Sequence, residues 1–272
     1  MSLRSRARAL LDNRLRRLRS FGAEDWLSSA MIIAPHPDDE TLGCGGIACK
    51  KILAGAAVSF VFVTDGGSSH FRGIGREELI KTRETEAREA VLRLGGGAEE
   101  ISFLRYPDSE ASGHMDQIAA DVLSLLQQKK PQSVFIPHAM DFPSDHTAVN
   151  AATVEALRIY GQPVTMYEYP IWYWYHWPWI SLSGDLPGRW RISARQTLRT
   201  RAGLGILSAL NRRVYIGDVL EIKRAALAAH KSQTRRPESD GNWVTLGDLA
   251  GGEFVARLLS DYETFSRYEV NQ

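Results

Sequence analysis

The sequence predicts a doubly wound α/β domain with a mostly parallel sheet, and three observations carry that prediction. Short runs of β-branched and aromatic residues alternate with longer amphipathic stretches, the order produced when strands are joined by right-handed helical crossovers. Helical runs stop at breaker residues, at Gly95-Gly96-Gly97 and just before Pro131. Polar groups recur after each of the first four strand-like runs, at the carboxyl edge where such sheets bind ligands.

The first strand is assigned to Ala30–Pro35, and Gly43–Ala54 to a helix whose glycines allow close packing on the sheet. Ala57–Thr64 is rich in valine and phenylalanine and ends at Asp65-Gly66-Gly67, a strand followed by a loop. Glu77–Leu94 has helical period. Ile101–Leu104 is a third strand, and Met115–Gln128 an amphipathic helix with Ile118, Val122, Leu123, Leu125 and Leu126 facing inward. Ser133–Pro137 and Val164–Glu168 are the fourth and fifth strands, with a helix over Thr147–Tyr160 between them. Tyr169–Trp179 is dense in tryptophan and tyrosine. It reads as a strand packed on both faces, either as core or subunit interface or as a sugar-stacking wall. Arg189–Arg213 is basic and takes no clear assignment. Asp218–Lys231 reads as a helix, Pro237–Asn242 as a polar loop and Phe254–Phe265 as a closing helix.

Composition narrows the function. With 272 residues, 44% hydrophobic and 24% charged, the chain suits one large soluble domain, over 28–272, after a basic helical extension over 1–27. The formal charge is +1, so no whole-molecule field favours nucleic acid. Cys44 and Cys49 are the only cysteines, which excludes a disulfide framework and suggests a reducing, cytoplasmic compartment. No apolar run is long enough to span a bilayer, and the arginine-rich start lacks the apolar core of a secretory signal. Its leucines fall at near-helical spacing, so it is read as a surface helix packed on its own domain or on a second copy of the chain. A peripheral membrane contact is the sharper, less favoured reading.

The chemistry concentrates in Pro35-His36-Pro37-Asp38-Asp39-Glu40, where a buried strand ends in one imidazole and three carboxylates. Several anions beside a histidine at the edge of a core ask for a cation. His36 and Asp39 are three apart on a turn entering a helix, so both can reach one point. His146, in Pro143-Ser144-Asp145-His146 after the fourth strand, supplies the third ligand. Two histidines, one carboxylate and an open position suit a hydrolytic zinc ion, Zn2+, with Asp38 free to act as general base. His138 also follows the fourth strand and stands in reserve as a supporting residue. His70, His114, His176 and His230 are single histidines without such partners. The absence of G-x-G-x-x-G after the first strand argues against a flavin or nicotinamide enzyme.

Taken together, His36-Pro37-Asp38-Asp39-Glu40 with Gly43-x-Gly45-Gly46, Thr64-Asp65-Gly66-Gly67, Arg83-x-x-Glu86, Pro107-Asp108, Asp141 with Asp145-His146, and Lys223, His230 and Ser232-Gln233 resemble the PIG-L/LmbE-like family of zinc-dependent N-deacetylases. The resemblance runs from about Met31 to Glu168 and again from Asp218 to Gln233. It implies a Rossmann-like fold, a zinc ion held by His36, Asp39 and His146, and Asp38 as general base. It also implies that Arg83 and Asp108 contact the sugar of an N-acetylglucosamine conjugate; without it, Arg83 reads as a helix-face partner of Glu84 or Glu86. Asp145 and Asp65 would orient their neighbours.

One position departs. Family members often carry His-x-Asp-His where this chain has Pro143, and the leading histidine helps to stabilise the oxyanion. His138 or a side chain of the C-terminal half would have to replace it. The implied function is hydrolysis of an N-acetylated amino sugar, a glycan or a sugar-bearing small molecule. The alternatives are hydrolysis of another amide conjugate, mycothiol-like for example, and a non-catalytic carbohydrate-binding relative.

Overall fold

The computed structural model describes residues 2–68, 75–181, 190–236 and 243–270. Its strands are β1 (Arg19–Ser20), β2 (Ala30–Ala34), β3 (Val58–Thr64), β4 (Ile101–Tyr106), β5 (Ser133–Pro137), β6 (Val164–Tyr169), β7 (Arg212–Tyr215) and β8 (Tyr262–Val270). They form one sheet in the order β1-β7-β8-β6-β5-β2-β3-β4. The five strands β6-β5-β2-β3-β4 pair in parallel, and the chain winds one way from β2 to β3 and β4 and the other way to β5 and β6. That reversal opens a crevice between the carboxyl ends of β2 and β5.

Both faces of the sheet are covered. In β2, Ile32 and Ala34 join one core with Phe60, Phe62 and Phe135, while Met31 and Ile33 join the other with Val61, Val63 and Ile136. The first core is closed by α3 (Asp39–Leu53), α4 (Arg76–Arg93) and α9 (Leu220–Leu227); the second by α5 (Met115–Lys129) and α6 (Ser144–Tyr160). Helix α3 lies close to the sheet because it carries glycine at its contacts. A Cβ on Gly43 would fall 2.3 Å from the Tyr169 ring, and one on Gly46 2.5 Å from Ile216. A buried ion pair supports the same helix: Lys223 Nζ donates to Leu42 O and to Glu263, whose carboxylate accepts from the Gly46 and Ile47 amides.

The N-terminal helix α1 (Leu3–Leu15) buries Leu11 and Leu15 against the first core. A short helix α2 (Ala23–Leu27) leads into β2. In the C-terminal half lie α7 (Trp190–Arg199), α8 (Ile206–Ala209), α10 (Lys231–Thr234) and α11 (Glu253–Leu258).

Several boundaries differ from the sequence reading. Helix α3 begins four residues early, at Asp39, and α6 begins at Ser144, so Asp39 and His146 stand in first helical turns. The run Asp218–Lys231 divides into α9 and α10. The closing helix over Phe254–Phe265 is half helix and half strand: α11 ends at Leu258, and β8 then pairs antiparallel with β6 and β7. Tyr169–Trp179 leaves β6 and turns away as a single 3-10 turn at Trp172–Trp174. Its Ile171 and Tyr173 amides are held by the Asp141 carboxylate instead of by a neighbouring strand. The loop assigned to Pro237–Asn242 lies outside the described residues, as does His70.

Candidate metal centre and active site

The turn after β2 brings its charged groups to the crevice. The Asp38 backbone adopts φ 129°, a value that residues with a Cβ rarely take, and the Asp38 amide donates to Glu40 Oε2 at 2.9 Å. Its carbonyl accepts the first amides of α3, those of Thr41 and Leu42. The turn thereby aims His36, Asp38 and Asp39 at one cavity of about 350 Å³.

At the floor of this cavity, Asp39 Oδ2 lies 3.1 Å from His36 Nδ1 and 3.2 Å from His146 Nε2. One ligand atom from each of His36, Asp39 and His146 falls within 4.8 Å of the others. His146 Nε2 is buried without a hydrogen bond among the described residues, so a polar atom that water does not reach points into the cluster. Two imidazole nitrogens and a carboxylate oxygen, one nitrogen otherwise unsatisfied, fit a divalent cation.

Each ring is oriented from its far edge, as ligating imidazoles usually are. His146 Nδ1 lies 2.9 Å from Asp141 Oδ2. His36 Nε2 lies 3.2 Å from Asp145 Oδ2 and 3.3 Å from Asp108 Oδ1, and these three residues form a second convergent group. Asp145 is itself fixed by the Ser109 and Ala111 amides.

The electrostatics express a demand for positive charge. Burial works against the His36 imidazolium, but hydrogen bonds to Asp108, Asp145 and Asp39 raise its pKa well above the ordinary value. Burial likewise opposes charge on His146, yet Asp39 and Asp141 bring it up to about 9. Asp39 is held far below the usual carboxylate range, the two imidazoles outweighing its burial. A divalent cation between these groups would supply the positive charge that the carboxylates attract. Asp38 behaves in the opposite way. Desolvation pushes its carboxyl up to about 7 despite the attraction of Arg83, close to where a general base works best.

The other predicted residues separate clearly. Arg83 is not a surface partner of Glu84 or Glu86. It is buried, donates to Pro37 O and Gly66 O, and comes within 3.5 Å of Asp38 Oδ2. Gly66 has φ 63°, and a Cβ there would fall 2.6 Å from the Arg83 guanidinium. Asp108 is buried at the border of the cavity, with Oδ1 3.3 Å from His36 Nε2. Asp65 stands one layer back, accepting from the Gly67 and Asp108 amides and pairing with Arg76. His138 is a correction: it does not join the cluster. Its Nε2 lies 3.2 Å from Ser266 Oγ on β8 and 3.7 Å from Glu168 on β6, and it lines a different cavity.

Two carboxylates named in the sequence motifs, Asp141 and Glu40, were given no role there. Asp141 had a signal, since it lies five residues before His146 in the same connection. Glu40 had none in its own neighbourhood: it accepts from the Asp38 amide and lies 2.9 Å from His230 Nε2, 190 positions away. His230 is therefore a buried, partnered histidine and not a solitary one. Pro143 borders the cavity and has no N–H to offer, while Ser232 and Gln233 reach it from the C-terminal half. Trp172 is the residue of the aromatic segment that lines the cavity; Tyr173, Trp174, Tyr175 and Trp179 are buried in core packing.

Residues 31–157 match the model of the family described as PIG-L, GlcNAc-PI de-N-acetylase. The chain is similar to the diacetylchitobiose deacetylase of Thermococcus kodakarensis, 25% identical over 142 residues, a match that covers 50% of this chain and 52% of that one. It is 24% identical to the 1D-myo-inositol 2-acetamido-2-deoxy-alpha-D-glucopyranoside deacetylase of Rhodococcus jostii over 260 residues, covering 81% of this chain and 86% of the relative. Among solved structures, the N,N'-diacetylchitobiose deacetylase of Pyrococcus horikoshii superposes with a TM-score of 0.61 at 19% identity, over 98% of this chain and 93% of that one. The motif at the β2 turn lies within the matched residues, and the fold and these matches make the chain similar to the PIG-L/LmbE-like deacetylases.

Proposed function

We propose that this chain is a zinc-dependent N-deacetylase that frees the amine of an N-acetylated amino sugar. The convergence of His36, Asp39 and His146 beneath an open cavity, with Asp38 beside them, is the observation that carries the reading. The names of the relatives support a sugar amide as substrate. A divalent cation held by those three residues, zinc by donor preference, supplies Lewis acidity to the amide carbonyl and acidifies the attacking water.

The protein's own groups do the rest. Asp38 takes a proton from water as its oxygen bonds to the carbonyl carbon. The same carboxyl then passes the proton to nitrogen as the C–N bond breaks, giving acetate and an amine. Arg83 fixes the Pro37 carbonyl and holds Asp38 in place, and with Asp108 it offers polar contacts to the sugar. Asp141 and Asp145 keep the two imidazoles turned toward the ion. Trp172, Leu246 and Leu249 give the cavity an apolar side against which a sugar ring can pack. Residues 1–27 are read as an extension of the catalytic domain over 28–272. The two unpaired thiols, Cys44 and Cys49, favour a cytoplasmic setting; no helix among the described residues is long and apolar enough to cross a membrane.

Pro143 favours a second reading, a site that binds metal and sugar without turnover. One assay separates them. Zinc-loaded protein is incubated with N-acetylglucosamine and diacetylchitobiose, and acetate and free amine are measured together. Equal amounts of both support the proposal; no acetate from any N-acetylated amino sugar, with one zinc bound per chain, would refute it.

A further inference from the structure

Positive charge is unevenly spread over this nearly neutral chain. Residues 2–20 hold seven arginines against Asp12, and residues 190–213 hold six arginines and no acid. Together the two segments carry +12 in a chain of +1, leaving −11 for the remainder.

The fold brings the two segments to one place. Arg4 donates to Pro178 O and Trp179 O, and Trp179 Nε1 donates to Asp12, which seats α1 on the Trp177–Trp179 turn. The Trp177 amide donates to Thr197 Oγ1 of α7. Gly203 wedges between them, its missing Cβ 2.9 Å from Trp179 and 3.0 Å from Leu11.

The outer surface of this unit is both basic and apolar. Leu3 is 79% exposed, Leu10 71%, Leu198 82% and Leu204 59%, with Trp190 half exposed. On α7, Arg191, Arg195 and Arg199 form one stripe and Trp190, Ala194 and Leu198 the next, each at a spacing of four. Arg6, Arg14, Arg17, Arg195, Arg199 and Arg201 have no carboxylate partner among the described residues, unlike Arg4 and Arg16.

We infer that this face docks on a bilayer containing anionic lipid. Arginines would meet the headgroups while leucine and tryptophan side chains enter the boundary between headgroups and acyl chains. A second copy related by a twofold axis would set the same unpaired arginines against one another. A nucleic acid would engage the arginines but leave the leucines exposed.

Flotation of the full chain with vesicles tests this. The protein should rise with phosphatidylcholine vesicles that contain phosphatidylglycerol, remain behind with phosphatidylcholine alone, and release as salt is added. Arg195→Gln with Arg199→Gln should lower partitioning about thirtyfold, roughly fivefold per arginine near the surface. Leu198→Ser should lower it about tenfold. All three positions are exposed, so circular dichroism should be unchanged, and the salt response of the unaltered chain stands independently of any variant. Absence of flotation, equal flotation with neutral vesicles, or indifference to both sets of variants overturns the inference. So does a solution dimer that Leu198→Ser dissociates, or heparin binding without vesicle binding.

Discussion

Replacing Asp38 by asparagine should disable the protein and stabilise it at once. The substitution keeps the size of the side chain and suits φ 129°, since asparagine tolerates unusual backbone angles as aspartate does. In the fold, burial raises the Asp38 carboxyl from 3.8 to about 7. The folded protein therefore retains a proton that the unfolded chain releases. This penalty is absent below pH 3.8, grows as pH rises, and is complete above 7. At about 1.4 kcal/mol per factor of ten in proton affinity, it amounts to about 4 kcal/mol. The amide of the variant carries no charge to desolvate, so metal-free Asp38→Asn at pH 8 should unfold about 8 °C higher than metal-free wild type, for a chain of this size. With zinc bound, the same variant should release acetate about 10²–10⁴-fold more slowly, the usual contribution of a general base. Thermal unfolding by calorimetry and acetate release on matched samples give both numbers. An unfolding temperature at or below wild type would refute the account of a desolvated carboxylate; undiminished acetate release would refute its role as base.

Asp141→Asn should weaken zinc binding about 10–100-fold in a competition titration with a chromogenic chelator, because His146 loses the carboxylate that orients its ring. Gly43→Ala should destabilise the fold by about 1–3 kcal/mol in urea unfolding, since its Cβ would meet the Tyr169 ring at 2.3 Å. His176 is buried, donates to the Trp177 carbonyl, and is held at about 4 by desolvation, below its ordinary 6.5. Its depressed value costs nothing above pH 6.5 and about 3 kcal/mol once pH has fallen to 4, as the unfolded chain takes the proton first. His176→Phe should flatten the acid side of the stability profile over that range.

The parts of the site that were legible in the sequence were those with a local signature. His36, Asp38 and Asp39 announced themselves because three charges at the end of an apolar strand have no cheap structural explanation. His146 followed because the doubly wound topology puts the ends of β2 and β5 side by side. The pairing of Glu40 with His230 was illegible for the complementary reason: it depends on how α9 and α10 fold back over α4, where Glu86 accepts from the Ser232 amide and hydroxyl. His138 misled because position along a connection does not fix direction, and its ring turns to β8, a strand the sequence reading had made helical. That strand was masked by Phe254 and Leu258, which do belong to a helix, whereas Glu263 to Ser266 are buried in succession on both faces of the sheet. The aromatic segment alternates like a strand, but Asp141 captures two of its amides and ends the ladder.

X-ray absorption of the zinc-loaded chain addresses the metal centre without depending on a substrate. The arrangement of His36, Asp39 and His146 predicts one zinc per chain, a shell of nitrogen and oxygen at about 2.0–2.2 Å, and outer scattering from two imidazoles. His146→Ala should remove one of the two imidazole contributions. A sulfur shell, an all-oxygen shell, or a spectrum unchanged by His146→Ala would contradict the assignment.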